Sequence, residues 1–171
     1  MNALAAAAEY RETVARGGAL LLRNGTHYPG LKGEEAFASL CPGLVVDTSR
    51  KPNGDGGIDF TMHLVVDGAP HPFNVDVKSR VNFTEYLLVK ADEKVHPRTI
   101  FVLARYDEAA DVATCLCWCW GRQVLAAPRR FFPREVLNYT VRADDMRPLA
   151  ELIDRYIAPW EVAAIAVEAR R

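Results

Sequence analysis

An α/β fold, with a mixed central sheet flanked by helices, is predicted by three features of this 171-residue chain. Runs rich in β-branched and apolar residues recur at residues 44–47, 58–66, 71–79, 99–106 and 112–120, each of strand length. Turn chemistry separates successive runs twice, as Asp67-Gly68 and as the polar residues 107–111, so each pair of flanking strands should be an antiparallel hairpin. Helical stretches lie before, between and after these runs, which makes the class α/β in a loose sense.

Residues 4–22 read as a helix weakened at Gly17-Gly18, and Asn24-Gly25-Thr26 with Pro29-Gly30 marks a loop. A second helix opens near Leu31, runs through Glu34, Phe37 and Leu40, and stops at Pro42-Gly43. The short strand Leu44-Val45-Val46-Asp47 leads into a polar, Gly-rich loop over residues 49–57 and then into the first hairpin. Residues 84–95, with Tyr86, Leu87 and Val89 ahead of Ala91-Asp92-Glu93-Lys94, are predicted as a helix ending at His96-Pro97. The second hairpin follows. Beyond Gly121 the chain is broken by Pro128 and Pro133, and residues 144–171 are predicted mostly helical, with Pro148 near the start and a break at Pro159. One domain results: a helical extension over 1–29, a core over 30–121, and a mostly helical extension over 122–171.

Half of the residues are hydrophobic, enough for one sizeable core. The net charge is −1, from 21 Lys and Arg against 22 Asp and Glu, so no global polycation announces nucleic acid. A DNA contact would have to be local. Arg122, Arg129, Arg130 and Arg134 are interleaved with Phe131 and Phe132, and Lys78, Arg80, Lys90, Lys94 and Arg98 form a second basic set. Both sets read equally well as solvated surface. The Ala-rich residues 3–8 run into Glu9, Arg11 and Glu12 before a signal-peptide core can form, and no segment has the length of an apolar membrane span. A soluble, cytoplasmic protein without a membrane partner is expected. Of the four cysteines, Cys115, Cys117 and Cys119 alternate along one strand, which predicts all three sulfurs on one face, poorly placed to bridge each other, and reduced.

The chemistry concentrates in the first hairpin. In Phe73-Asn74-Val75-Asp76-Val77-Lys78 a strand puts Asn74, Asp76 and Lys78 on one side and Phe73, Val75 and Val77 on the other. The antiparallel partner would bring Asp59, at the end of Gly54-Asp55-Gly56-Gly57-Ile58-Asp59, next to Asp76. Two carboxylates beside a lysine form an acidic metal cradle with a cation at its rim. Each residue also has an ordinary explanation: Asp59 as a loop cap, Asp76 with Lys78 as an ion pair worth little if exposed, Glu34 and Glu35 as acids at a helix N-terminus. One metal site accounts for all of them together.

That order of elements, with Glu34 on the helix, Asp59 at one strand and Asp76-Val77-Lys78 on the next, resembles the PD-(D/E)XK nuclease superfamily, in particular its junction-resolvase-like and endonuclease-like members. Ile58 stands where the motif has proline, and the second acid is Asp rather than Glu. The helix acid corresponds to Glu34, three residues before Phe37, with Glu35 the competing assignment. The resemblance spans residues 30–120 and implies a restriction-endonuclease-like core, in the order αβββαβ with one further strand and a helical tail.

It implies in turn a metal-dependent deoxyribonuclease, an endonuclease using Mg2+ with Mn2+ as substitute. Hard oxygen ligands suit these ions. Asp59 and Asp76 would be ligands, the Val77 carbonyl would complete the sphere, and Glu34 would hold a metal-bound water or a second ion. Lys78 would sit by the nucleophilic water or the scissile phosphate, and Arg80, Lys90 and Lys51 would contact DNA. Activity should weaken in acid, since carboxylates must be ionised to hold the ion. A branched-DNA resolvase would require a homodimer, with the first helix or the tail as its interface.

Two rivals remain. The first keeps the fold with a degenerate site, giving a DNA-binding or assembly protein without turnover. Alternatively Cys41, Cys115, Cys117 and Cys119 would form a metal or redox module, although zinc sites favour two-residue gaps on turns and the flanking Trp118 and Trp120 suggest a strand buried on both faces. The scattered histidines offer little, with His63 and His71 as cross-strand neighbours.

Overall fold

The computed structural model describes residues 28–41, 59–67, 69–82, 84–132 and 135–154. The predicted helix at 4–22, the strand at 44–47, the loop at 49–57 with Lys51, and the tail beyond residue 154 lie outside the described residues.

The architecture is α/β, three layers deep. Helix α1 (Tyr28–Leu40) lies on one face of a five-stranded mixed sheet, made of β1 (Phe60–Val66), β2 (Ala69–Arg80), β4 (Ile100–Asp107), β5 (Val112–Trp120) and the two-residue β8 (Arg147–Pro148), in that order. A three-stranded antiparallel sheet covers the other face, ordered β3 (Tyr86–Lys90), β7 (Leu137–Arg142) and β6 (Arg129–Phe131). Short helices α2 (Gly121–Ala126) and α3 (Leu149–Leu152) complete the order.

Both predicted hairpins form. Val66 pairs with Ala69 across Asp67-Gly68, and Asp67 has φ +53°, the left-handed conformation that tight two-residue turns demand. Pro70 and Pro72 fall in the part of β2 that precedes its pairing with β4, where a missing N–H breaks no ladder bond. From Val75 onward β2 pairs with β4 in parallel, so both sheet faces need cover. The central strands supply it: α1's Phe37 packs with Met62, Leu64, Val75, Val102 and Trp118 on one face, while Phe101, Leu103 and Cys119 meet Leu87, Val89, Tyr139 and Val141 on the other. Each fully buried aliphatic or Phe side chain contributes roughly 1.5–3 kcal/mol.

Four expectations are corrected. The helix predicted for residues 84–95 is instead strand β3 and a turn. Leu87, Leu88 and Val89 are consecutive and all buried, a continuous apolar run that periodicity cannot assign. Residues 122–154 are not mostly helical, since β6, β7 and β8 occupy much of them and supply the inner wall of the second core. The three sulfurs do not share a face: a β-bulge between Leu103 and Ala104 of β4 shifts the register at Leu116, turning Cys115 to the helix layer, where its Sγ lies 3.9 Å from the Gly33 carbonyl, while Cys117 and Cys119 face the second sheet. His63 pairs with Pro72 and His71 with Leu64, so the two histidines are one step out of register rather than cross-strand partners.

Helix α1 is tied to the β4–β5 turn through Asp111, which accepts from Lys32 Nζ at 2.8 Å, Tyr106 Oη at 2.8 Å and Tyr28 Oη at 3.0 Å. Hydrogen bonding from Lys32 and then Tyr106 draws the Asp111 carboxyl down to about 2. A depressed carboxylate stabilises the fold above its ordinary range and loses that contribution as pH falls through the folded value. The expected outcome is that Asp111→Asn flattens the fall of the melting midpoint between about pH 4 and pH 2; an unchanged slope would dismiss the tie.

Candidate active site

The site lies where β1 leaves β2. Their ladder ends at Phe60↔Val75, and beyond it the Asp59 N–H donates to the Val75 carbonyl at 2.9 Å. Residues of a strand turn both backbone polar groups to one edge, alternating along the chain. Val77 therefore turns its N–H and C=O toward the opening on the β1 side. Asp59 fills the opening: its Oδ2 accepts the Val77 N–H at 2.6 Å.

Asp76 and Lys78 project from β2 toward the second sheet, in register with Phe101 and Leu103. Asp76 is 2% exposed, and Lys78 Nζ lies 3.0 Å from its Oδ2. A second carboxylate completes the arrangement: Lys78 Nζ donates at 3.0 Å to Oε2 of Glu93, in the turn after β3. Burial works against the ammonium, but the charges of Asp76 and Glu93 outweigh it and raise its pKa above the ordinary lysine value. Lys78 is thus a fixed cation across the neutral range. Glu93 escaped the sequence reading because residues 84–95 read as a helix, and no motif singled it out.

Gly33 brings α1 onto the same stretch of β2, from the other face. A Cβ there would stand 2.9 Å from Ser79 Cβ and 3.3 Å from Val77 Cγ1, so only glycine permits this approach. Glu34 follows directly and is partly buried. Glu35 faces β5 instead, 4.0 Å from Lys32 in the groove that Asp111 and Leu149 also line. The groove opens on the helix-bearing face, away from Asp76 and Lys78, and has no part in the site.

Among the described residues no group of three or more His, Cys, Asp and Glu side chains stands ready for a metal ion. The donor set for magnesium is smaller, one or two carboxylates with retained waters, and Asp59 and Asp76 offer that oxygen chemistry. The cysteines do not fit a thiolate centre: burial pushes the Cys115 and Cys119 thiols up to about 12, so both stay protonated. Of the predicted DNA contacts, Lys90 is exposed. Arg80 is turned inward, its Nη2 donating to the Leu88 carbonyl at 3.4 Å, with burial lowering its pKa.

No protein-family model, curated protein or solved structure matches the chain. No helix among the described residues is long and apolar enough to cross a membrane.

The role of Glu93 is open to direct measurement. Glu93→Gln keeps the shape and removes one of the two charges that raise the Lys78 pKa, so that pKa should fall. Raised-pKa stabilisation is present below the unfolded value and lost as pH rises through the folded one. The alkaline limb of stability should therefore move to lower pH in the variant; superimposable limbs would remove Glu93 from the site.

Proposed function

We propose that this protein is a metal-dependent deoxyribonuclease of the PD-(D/E)XK type that hydrolyses phosphodiester bonds. The observation that carries the reading is the opening beside β2, where the Asp59 carboxylate sits 2.6 Å from the Val77 amide and the Asp76–Lys78 pair lies alongside at 3.0 Å. The parallel pairing of β2 with β4 agrees with a restriction-endonuclease-like core, although the crossover between them runs through a strand rather than a helix.

In this reading Asp59, Asp76 and the Val77 carbonyl hold the ion, Mg2+ or Mn2+. When bound it supplies Lewis-acid charge and activates water. Lys78, protonated, neutralises charge on the phosphate and does not act as a general base. Glu93 positions Lys78 and retains it when Asp76 is engaged. Glu34, entering from α1, orients a water at the opening. Phosphoryl oxygens gain charge toward the transition state, and a fixed cation beside them stabilises it without reorganisation.

Calorimetric titration with magnesium or manganese tests the ligand set apart from catalysis. The native chain should bind, with affinity falling in acid, and Asp59→Asn and Asp76→Asn should each weaken binding by about tenfold or more. Equal binding by both variants and the native chain would refute the assignment.

A further inference from the structure

Two arginines stand side by side at one end of the central sheet. Arg80 is the last residue of β2, and the parallel register pairs it with Arg105 of β4. Register partners on neighbouring strands share a face, so both side chains leave the sheet on the side of Lys78, which precedes Arg80 by two residues. The backbones of the two arginines are about 4.8 Å apart, and that of Lys78 lies about 6.6 Å back along the strand. Like charges set directly opposite each other cost stability. Three cations thus gather where β2 and β4 end, and the carboxyl ends of adjacent parallel strands are where α/β sheets hold ligands.

Carboxylates do not answer this charge. Lys78 is held between Asp76 and Glu93, each 3.0 Å from its Nζ, whereas neither Arg80 nor Arg105 is ion-paired with an acid among the described residues. Glu93 is the acid whose charge reaches Arg80, and its Oε2 is already taken by Lys78. Asp107, two residues beyond Arg105 on β4, gives its Oδ1 to the amides of Ala109 and Ala110 at 2.9 and 3.1 Å. Arg80 donates from Nη2 to the Leu88 carbonyl at 3.4 Å, and its buried Nε has no hydrogen-bond partner. Arg105 is exposed. A half-buried guanidinium with spare donors, next to a second one open to solvent, offers the planar forks that bind phosphate oxygens.

We propose that Arg80 and Arg105 form a phosphate-binding site at the ends of β2 and β4, two residues along β2 from Lys78. Arg80 supplies the fixed, partly desolvated cation, and Arg105 closes on the anion from solvent. The ligand neutralises the like-charge pair, so binding relieves a repulsion built into the sheet. The phosphate group comes either from the backbone of a nucleic acid held at the Lys78 centre or from a free phosphate compound. The first source rests on the nuclease reading; the site itself does not.

Thermal melting in EDTA, with sodium phosphate at about 20 mM against sodium chloride at equal ionic strength, tests the site without metal, DNA or cleavage. Phosphate should raise the native midpoint by about 2 °C or more over chloride. Arg105→Gln should lose that gain, and in chloride it should melt no lower than the native chain, because it removes one of two like charges. Arg80→Gln should lose the gain as well. Arg130→Gln removes an equal charge from exposed β6 and should keep it. An equal gain in the native chain and Arg105→Gln, or no gain in the native chain, overturns the inference. Fluorescence anisotropy with a labelled DNA duplex in EDTA separates the sources: a salt slope reduced by about one phosphate contact in Arg105→Gln assigns the site to nucleic acid, and an unchanged slope assigns it to a free phosphate compound. A phosphate gain in a native chain that never cleaves DNA overturns the nuclease reading and spares the site.

Discussion

Lys78→Met should lower kcat for phosphodiester cleavage by about two to three orders of magnitude, the usual consequence of removing one preorganised charge donor from a transition state. Methionine fills similar space but leaves Asp76, 2% exposed, without the cation 3.0 Å from its Oδ2. Breaking a largely buried pair from one side is destabilising, and a loss of about 1–3 kcal/mol in urea unfolding is expected, moderated because Lys78 keeps a fifth of its side-chain surface. Lys78→Arg retains the charge and should recover stability ahead of activity, since the planar guanidinium does not reproduce a point charge. The KM of Lys78→Met should change far less than kcat if the ammonium acts on charge that develops only in the transition state. Equal losses in 1/KM and kcat/KM would instead make Lys78 a binding residue.

Gly121→Ala should be the most damaging small substitution in the described part of the chain. A Cβ at Gly121 would stand 2.1 Å from the His96 carbonyl oxygen and 3.1 Å from the His96 carbonyl carbon. Both are backbone atoms that no rotamer change can move. This contact joins the end of β5 to the loop entering β4, which is held further by Gly121 N–H to the Thr99 carbonyl at 2.7 Å and Arg122 N–H to the Pro97 carbonyl at 3.0 Å. The variant must break these bonds or shift the loop, and a loss of about 3 kcal/mol or more is expected. The same loop descends from Glu93, so the Lys78 centre should loosen with it. A melting midpoint within a degree or two of the native chain would show that the junction yields easily.

The hairpin that builds the site was legible because its signals are local. Asp67-Gly68 fixes the turn, alternation along residues 73–78 fixes the faces, and together they put Asp59 beside Asp76 and Val77. The fate of Lys78 was not legible. Its second partner, Glu93, arrives from a turn whose preceding strand pairs with β7, some fifty residues later in the chain, and such pairing leaves no local trace in a continuous apolar run. The cysteines failed for a related reason: strict alternation predicts one face, but a single bulged residue inverts it.

The central claim is that the opening between Asp59 and the Asp76–Lys78 pair catalyses metal-dependent phosphodiester hydrolysis. Its most direct test is the nicking of supercoiled plasmid by the native chain and by folded Asp76→Ala, each with magnesium, manganese or EDTA. Nicking by the native chain in either metal, abolished by EDTA and by the substitution, is the predicted result. Nicking that survives Asp76→Ala, or DNA binding by the native chain with no cleavage in any metal, would contradict the account, and the second outcome would leave a binding protein built on the same hairpin.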